Sequence, residues 1–178
     1  MSQLGAAGRR GLLAVVAAAV PVVAAACNST PTRTLDARSA AGRITSELEA
    51  RYHVTAVNVS CPGGVPARKG QVFVCSATLD GQRVRLDAKV TGSGGTFTID
   101  PNEAILVPAT VASQLTERIA AGTRQNPTVQ CPGKSVVIIA VHRTLTCTAT
   151  FAGEAPRNVV VTVVDRQGDF GYQLAPAP

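Results

Sequence analysis

The chain has 178 residues, with 17 basic against 11 acidic side chains, 46% hydrophobic and 3% aromatic content. That length suits one medium domain or two small ones, and the low charged fraction of 16% excludes a coiled coil or a charge-rich disordered chain. A formal net charge of +6 with no Trp and so few rings to stack on bases leaves no nucleic acid among the expected partners.

Arg9 and Arg10 precede an uncharged Leu/Val/Ala run from Gly11 to Ala26. At 16 residues the run falls short of the roughly 20 needed to cross a bilayer. With Ala24-Ala25-Ala26 at its end, residues 1–26 read as a cleaved secretory signal. Cys27 follows directly. A small-residue triplet before a Cys, at the end of an apolar run, resembles the lipobox of bacterial lipoproteins. The resemblance implies a diacylglycerol on the Cys27 sulfur, which becomes the new N-terminus. Ala24 stands where that motif usually has Leu or Val, and Ala24-x-Ala26 also fits ordinary signal cleavage. The expectation is a chain lipid-anchored to the cell membrane on its extracytoplasmic face, with secretion as the alternative. Residues 27–34 would be the lipidated Cys and a Thr/Pro-containing tether. The mature chain would keep 15 basic against 11 acidic residues, a net charge of +4 and a weak attraction to anionic surfaces.

Beyond the tether, residues 35–52 carry Leu35, Ile44, Leu48 and Tyr52, at helical spacing over the second half, with Gly42 a weak point. Four strand-like segments follow. His53 to Cys61 would turn Val57, Val59 and Cys61 to one face, and Gln71 to Leu79 would do the same with Phe73, Cys75, Ala77 and Leu79. Arg83 to Val90 alternates strictly, with Val84, Leu86, Ala88 and Val90 inward and Arg83, Arg85, Asp87 and Lys89 outward. Asp80-Gly81 is a tight-hairpin signal, and Gly92-Ser93-Gly94-Gly95 turns the chain into Thr96–Ile99.

The pattern then repeats with a period near 70. Cys61-Pro62-Gly63…Cys75 is matched by Cys131-Pro132-Gly133…Cys147, at spacings of 14 and 16. Gly81 is matched by Gly153, Gly95 by Gly168, and Phe97 by Phe170. In the helices, Ile44-x-Ser46-x-Leu48 is set against Val111-x-Ser113-x-Leu115, and the second copy runs from a helix near Thr110–Ala121 to a strand near Phe170–Leu174. The fold class is therefore α+β, two tandem repeats over residues 35–100 and 101–178. Each is one helix packed on a four-stranded antiparallel sheet with one disulfide. Setting Cys27 aside, the symmetric pairing is Cys61–Cys75 and Cys131–Cys147; cross-pairing between copies would break the symmetry. A zinc site is the rival reading. It would want closer ligand pairs or more His than His53 and His142.

The order helix, Cys61-Pro62, Gly70-x-x-Phe73-x-Cys75, Gly81 and an alternating Val strand resembles a domain of actinobacterial lipoproteins and membrane proteins whose function is unknown. In the second copy His142 replaces the Gly and Leu145 the Phe. The resemblance implies disulfides and an extracytoplasmic site, but brings no catalytic residue and no ligand.

No catalytic constellation, cofactor motif or metal set stands out. Gly92 to Gly95 lacks the Lys-Ser/Thr and helix start of a phosphate loop, and there is no nucleophile elbow. Arg83, Arg85 and Lys89 form one basic sheet face, read as solvated, with anion binding the alternative. The inter-cysteine loop of the second copy holds six consecutive apolar residues, Val136 to Val141. Such a run must be covered, as an extra strand against the first copy or in a partner interface, which makes Val137, Ile138, Ile139 and Val141 the candidate interface. The expected function is a non-enzymatic binding or interaction module with an unidentified protein or small-molecule partner. The alternatives are an inhibitor of an extracytoplasmic enzyme, whose layout in the β-lactamase-inhibitor proteins is similar, and a small-ligand or lipid carrier.

Overall fold

The computed structural model describes residues 33–176; the expected signal segment, Cys27 and most of the expected tether lie outside them. Two halves carry the same seven elements in the same order. The first half runs β1 (Thr34–Leu35), α1 (Ala37–Tyr52), β2 (Ala56–Ser60), β3 (Val65–Pro66), β4 (Val72–Leu79), β5 (Gln82–Val90) and β6 (Phe97–Pro101). The second runs β7 (Ala104–Leu106), α2 (Pro108–Thr123), β8 (Thr128–Gln130), β9 (Val137–Ile139), β10 (Thr144–Thr150), β11 (Arg157–Val163) and β12 (Phe170–Leu174). Each half has one four-stranded antiparallel meander, β2-β4-β5-β6 and β12-β11-β10-β8. Each also has a two-stranded ribbon, β1-β3 or β7-β9, of which the sequence offered only β9, as the extra strand of the apolar run. Strands of two or three residues are too short to show a period, so pattern reading passes over them.

Both helices have 16 residues and bury one stripe, Ala40, Ile44, Leu48 and Tyr52 in α1 and Val111, Leu115 and Ile119 in α2. Asp36 caps α1, its carboxylate accepting the Ser39 N–H at 2.7 Å, whereas α2 starts at Pro108 with no side-chain cap. The Ser39 side chain, and after it this N–H, hold the Asp36 carboxyl below its ordinary 3.8. Both helices end on a left-handed residue, His53 and Arg124. Counted from these ends, Ile44 matches Leu115 and Leu48 matches Ile119. The alignment of Ile44 with Val111 is thus one helical turn out, because apolar residues four apart match equally well after a one-turn slide.

In the sheets, Phe73, Cys75, Ala77, Leu79, Val84, Leu86, Ala88 and Val90 all point into the first core. Asp80 and Gly81 both take positive φ, 47° and 78°, the geometry of a two-residue hairpin turn. Val57 is the exception to the expected facing. Asn58 sits at φ 53° in a bulge that shifts the β2–β4 register, so Val57 turns outward and Val59 and Cys61 turn in. β6 also continues through Pro101, which pairs with Leu86, so the strand runs past the Asp100-Pro101 boundary.

The same closing contact appears twice. Arg43 donates to the Phe97 carbonyl at 2.9 Å with its guanidinium 4.6 Å over the Phe97 ring, and Arg118 donates to the Phe170 carbonyl at 3.1 Å, 4.7 Å over that ring. Gly95 and Gly168, both at positive φ, lie against Leu35 and Leu106 of the leading strands. A Cβ at Gly95 would come within 2.6 Å of the Leu35 side chain.

Candidate functional site

The sequence singles out the apolar run and the basic face of the first sheet, and the fold adds the seam between the halves. The apolar run forms β9, which pairs with β7 in register Ala104–Ile139, Ile105–Ile138 and Leu106–Val137. Side chains alternate across a strand, so this ribbon serves two cores. Ile105, Ile138 and Val136 join the first core, while Ala104, Leu106 and Ile139 join the second. A strand covered on both faces needs an unbroken apolar sequence, which is the physical reason for Val136 to Ile139. The expected cover does not extend to Ala140, which is exposed, and Val141 lies in the turn beyond β9. Val136 is fully buried; Val137, Ile138, Ile139 and Val141 are each half-buried.

Residues of the β4–β5 hairpin clasp this strand. The Gln82 side-chain amide donates to the Val136 carbonyl at 2.9 Å and accepts the Ile138 N–H at 3.3 Å. Asp80 accepts the Ser135 N–H at 3.0 Å. Neither contact carries a sequence signal, since Gln and Asp are ordinary residues near a hairpin turn.

The seam opens into a crevice of about 280 Å³ lined by Arg51, Tyr52, Ile105, Gln114, Gln167 and Phe170, among others. Tyr52 is buried at its edge, and burial raises the phenol above its ordinary 10.0, with Asp100 adding to the rise and Arg51 opposing it. Nearby, Gln167 donates to Asp100 at 3.3 Å.

The outward faces of the two sheets differ in chemistry. On the second, β10 presents Thr144, Thr146, Thr148 and Thr150, without charge. On the first, Val57, Val72 and Val74 are 46%, 51% and 40% exposed, beside Arg83, Arg85 and Lys89. A shallow depression of about 520 Å³ on this face is lined by Ser60, Pro62, Val74, Ser76, Arg83 and Arg85, along the Cys61–Cys75 bridge.

Both disulfides are present, Cys61–Cys75 and Cys131–Cys147. Cys27 lies outside the described residues. His53 and His142 occupy separate turns, and among the described residues no group of three or more His, Cys, Asp or Glu is placed to hold a metal ion. Gly92 to Gly95 forms the β5–β6 turn, closed by Thr91 N–H to the Thr96 carbonyl at 2.8 Å. Among the described residues no helix is long and apolar enough to cross a membrane.

The family model of a domain of unknown function, DUF4333, matches residues 20–95. The match spans β1 to β5 and stops at the turn before β6, leaving the second half outside it. No curated protein and no solved structure matches the chain.

Proposed function

We propose that this chain is an extracytoplasmic, membrane-anchored, non-enzymatic binding module. The observation that carries the reading is the cysteine usage. Four cysteines close two equivalent disulfides, and the fifth, Cys27, directly follows an uncharged apolar run with a basic start. Disulfides persist in oxidising compartments, and an odd cysteine at the end of a signal-like run has acylation as its natural use. The non-enzymatic part rests on how the polar side chains are employed. Asp36 caps a helix, Asp80 and Gln82 hold β9, and Arg43 and Arg118 close the two sheets. An enzyme inhibitor would need aromatic anchors on its surface; Phe73, Phe97, Phe151, Phe170 and Tyr52 are instead buried. A small-ligand reading draws on the seam crevice with Tyr52 at its edge, and native mass spectrometry showing a co-purified molecule would favour it.

The deciding measurement is the intact mass of the mature protein from the membrane fraction, alkylated before and after reduction. A diacylglycerol adduct on a chain beginning at Cys27, with four thiols released only by reduction, is the expected result. An unmodified chain with a free Cys27 removes the anchor, and thiols reactive without reduction remove the disulfides.

A further inference from the structure

We infer that the outward face of the first sheet lies on anionic phospholipid headgroups. The inference rests on the anchored reading above for its tether. Four large hydrophobic side chains are exposed among the described residues, and three of them, Val57, Val72 and Val74, share this face. The β4–β5 register sets Val72 opposite Lys89, Val74 opposite Asp87, Ser76 opposite Arg85 and Thr78 opposite Arg83, so the valines lie among charged groups in which cations outnumber acids. The side chains of Arg83, Arg85 and Lys89 have no hydrogen-bond or ion-pair partner among the described residues. The face also carries two acids, each with a partner of its own. Asp87 faces Arg166 at 3.9 Å and takes the Asn102 amide, and Asp100 accepts from Gln167. The surface therefore combines exposed valines with three cations free of partners among the described residues, in excess over two acids.

Few partners satisfy both groups. A solvated polyanion would pair the guanidiniums and leave the valines in water. A neutral apolar protein surface would cover the valines and strand desolvated charge. An anionic bilayer interface offers phosphate to Arg and Lys and aliphatic surface to Val. The chain length supports the same occupant. Thr34 lies seven residues beyond Cys27, a span of at most about 25 Å, so an acylated Cys27 keeps this half beside the headgroups. Each cation close to an anionic surface strengthens binding about fivefold. Three cations give about two decades, which the free protein shows at low salt and high lipid and which is enough to orient a tethered one.

The test uses the mature chain carrying Cys27→Ser, which cannot be acylated, in low-salt co-sedimentation with phosphatidylglycerol or phosphatidylcholine vesicles. Binding to the anionic vesicles alone, reversed by salt, is expected. Arg83→Gln/Arg85→Gln should weaken it about 25-fold, from two fivefold losses, and Val72→Thr/Val74→Thr by a smaller factor. All four side chains are exposed, so both variants should keep the parent unfolding midpoint. Equal binding to both vesicle types, no binding to phosphatidylglycerol, or an Arg83→Gln/Arg85→Gln variant that binds like the parent would overturn the inference. If that variant loses an acidic protein partner while its vesicle binding stays unchanged, the face belongs to a protein and the membrane inference falls. Because the Cys27→Ser substitution removes the acylation site, failure here leaves the anchor reading standing, and a failed intact-mass result leaves the vesicle result standing.

Discussion

The two short ribbons of this protein occupy equivalent places in the two halves and live in different surroundings. Leu35 pairs with Val65 and Leu106 with Val137, and Val65 and Leu106 are each buried in their own half's core. The next pair along differs. Thr34 sits opposite Pro66, with Thr34 exposed, while Ile105 sits opposite Ile138, and both pack into the core of the other half. One backbone arrangement thus ends in water in the first half and becomes a shared wall in the second. The chemistry follows the surroundings: an exposed Thr34 beside a half-buried Pro66 in the first half, a buried Ile105 beside a half-buried Ile138 in the second. The ribbon is common to both halves, and the apolar character of one cross-strand pair is what makes the second a joint.

The comparison can be broken most directly at Ile105, which is 4% exposed. Ile105→Ala should cost about 4 kcal/mol through lost burial and a cavity. Thr34→Ala, its equivalent, should change stability by no more than about 0.5 kcal/mol. Urea unfolding midpoints would check both, and equal effects would mean that β7 is no joint. The disulfides come next. Removing either bridge frees a loop of about 15 residues and should cost about 3 kcal/mol by loop-closure entropy. Loss of Cys131–Cys147 should also loosen β9, which lies inside that loop, and so raise amide exchange in both halves. Loss of Cys61–Cys75 should raise it in the first half only, which hydrogen exchange would resolve.

Gln82→Ala should cost about 1.5 kcal/mol, because it leaves the Val136 carbonyl and the Ile138 N–H without their side-chain partner. Thermal unfolding would measure it, and an unchanged midpoint would show that the clasp is ornamental to the joint. The smallest effect concerns the two helix starts. Asp36 has a folded pKa below its unfolded value of about 3.8, so its cap stabilises α1 above that value. The contribution is lost as pH falls from 3.8 through the lowered folded value. Far-UV circular dichroism against pH should show an acid loss of helix that Asp36→Ala abolishes, while α2, capped by Val107, contributes none of it.

Much of the fold was legible because half-buried strands advertise themselves. The strict alternation from Arg83 to Val90 and from Val72 to Leu79 fixes both facing and register once Asp80-Gly81 sets the turn. The bulge at Asn58 was not legible, since nothing in Val57-Asn58-Val59 distinguishes a left-handed Asn from a regular one. The one-turn offset between the helices was hidden by their own periodicity. Of the candidate site, the basic row on β5 could be read from alternation. That its neighbouring acids meet Asn102, Arg166 and Gln167 could not, because Asn102 arrives through the end of the β5–β6 ladder and Arg166 and Gln167 only when the second half folds back.

Pattern alone determined the repeated order of the main elements, the cysteine pairs and the inward stripes of β4 and β5, because alternation depends on spacing within one segment and the pairing on the likeness of two segments. The tertiary structure decided what the apolar run is for. Six buried-looking residues in a row say that both faces of a strand are covered, but only the packing of Ile105 and Ile138 into the other half says by what. Hydrophobic burial is non-directional: sequence states that a surface must leave water, and the fold chooses the surface it meets.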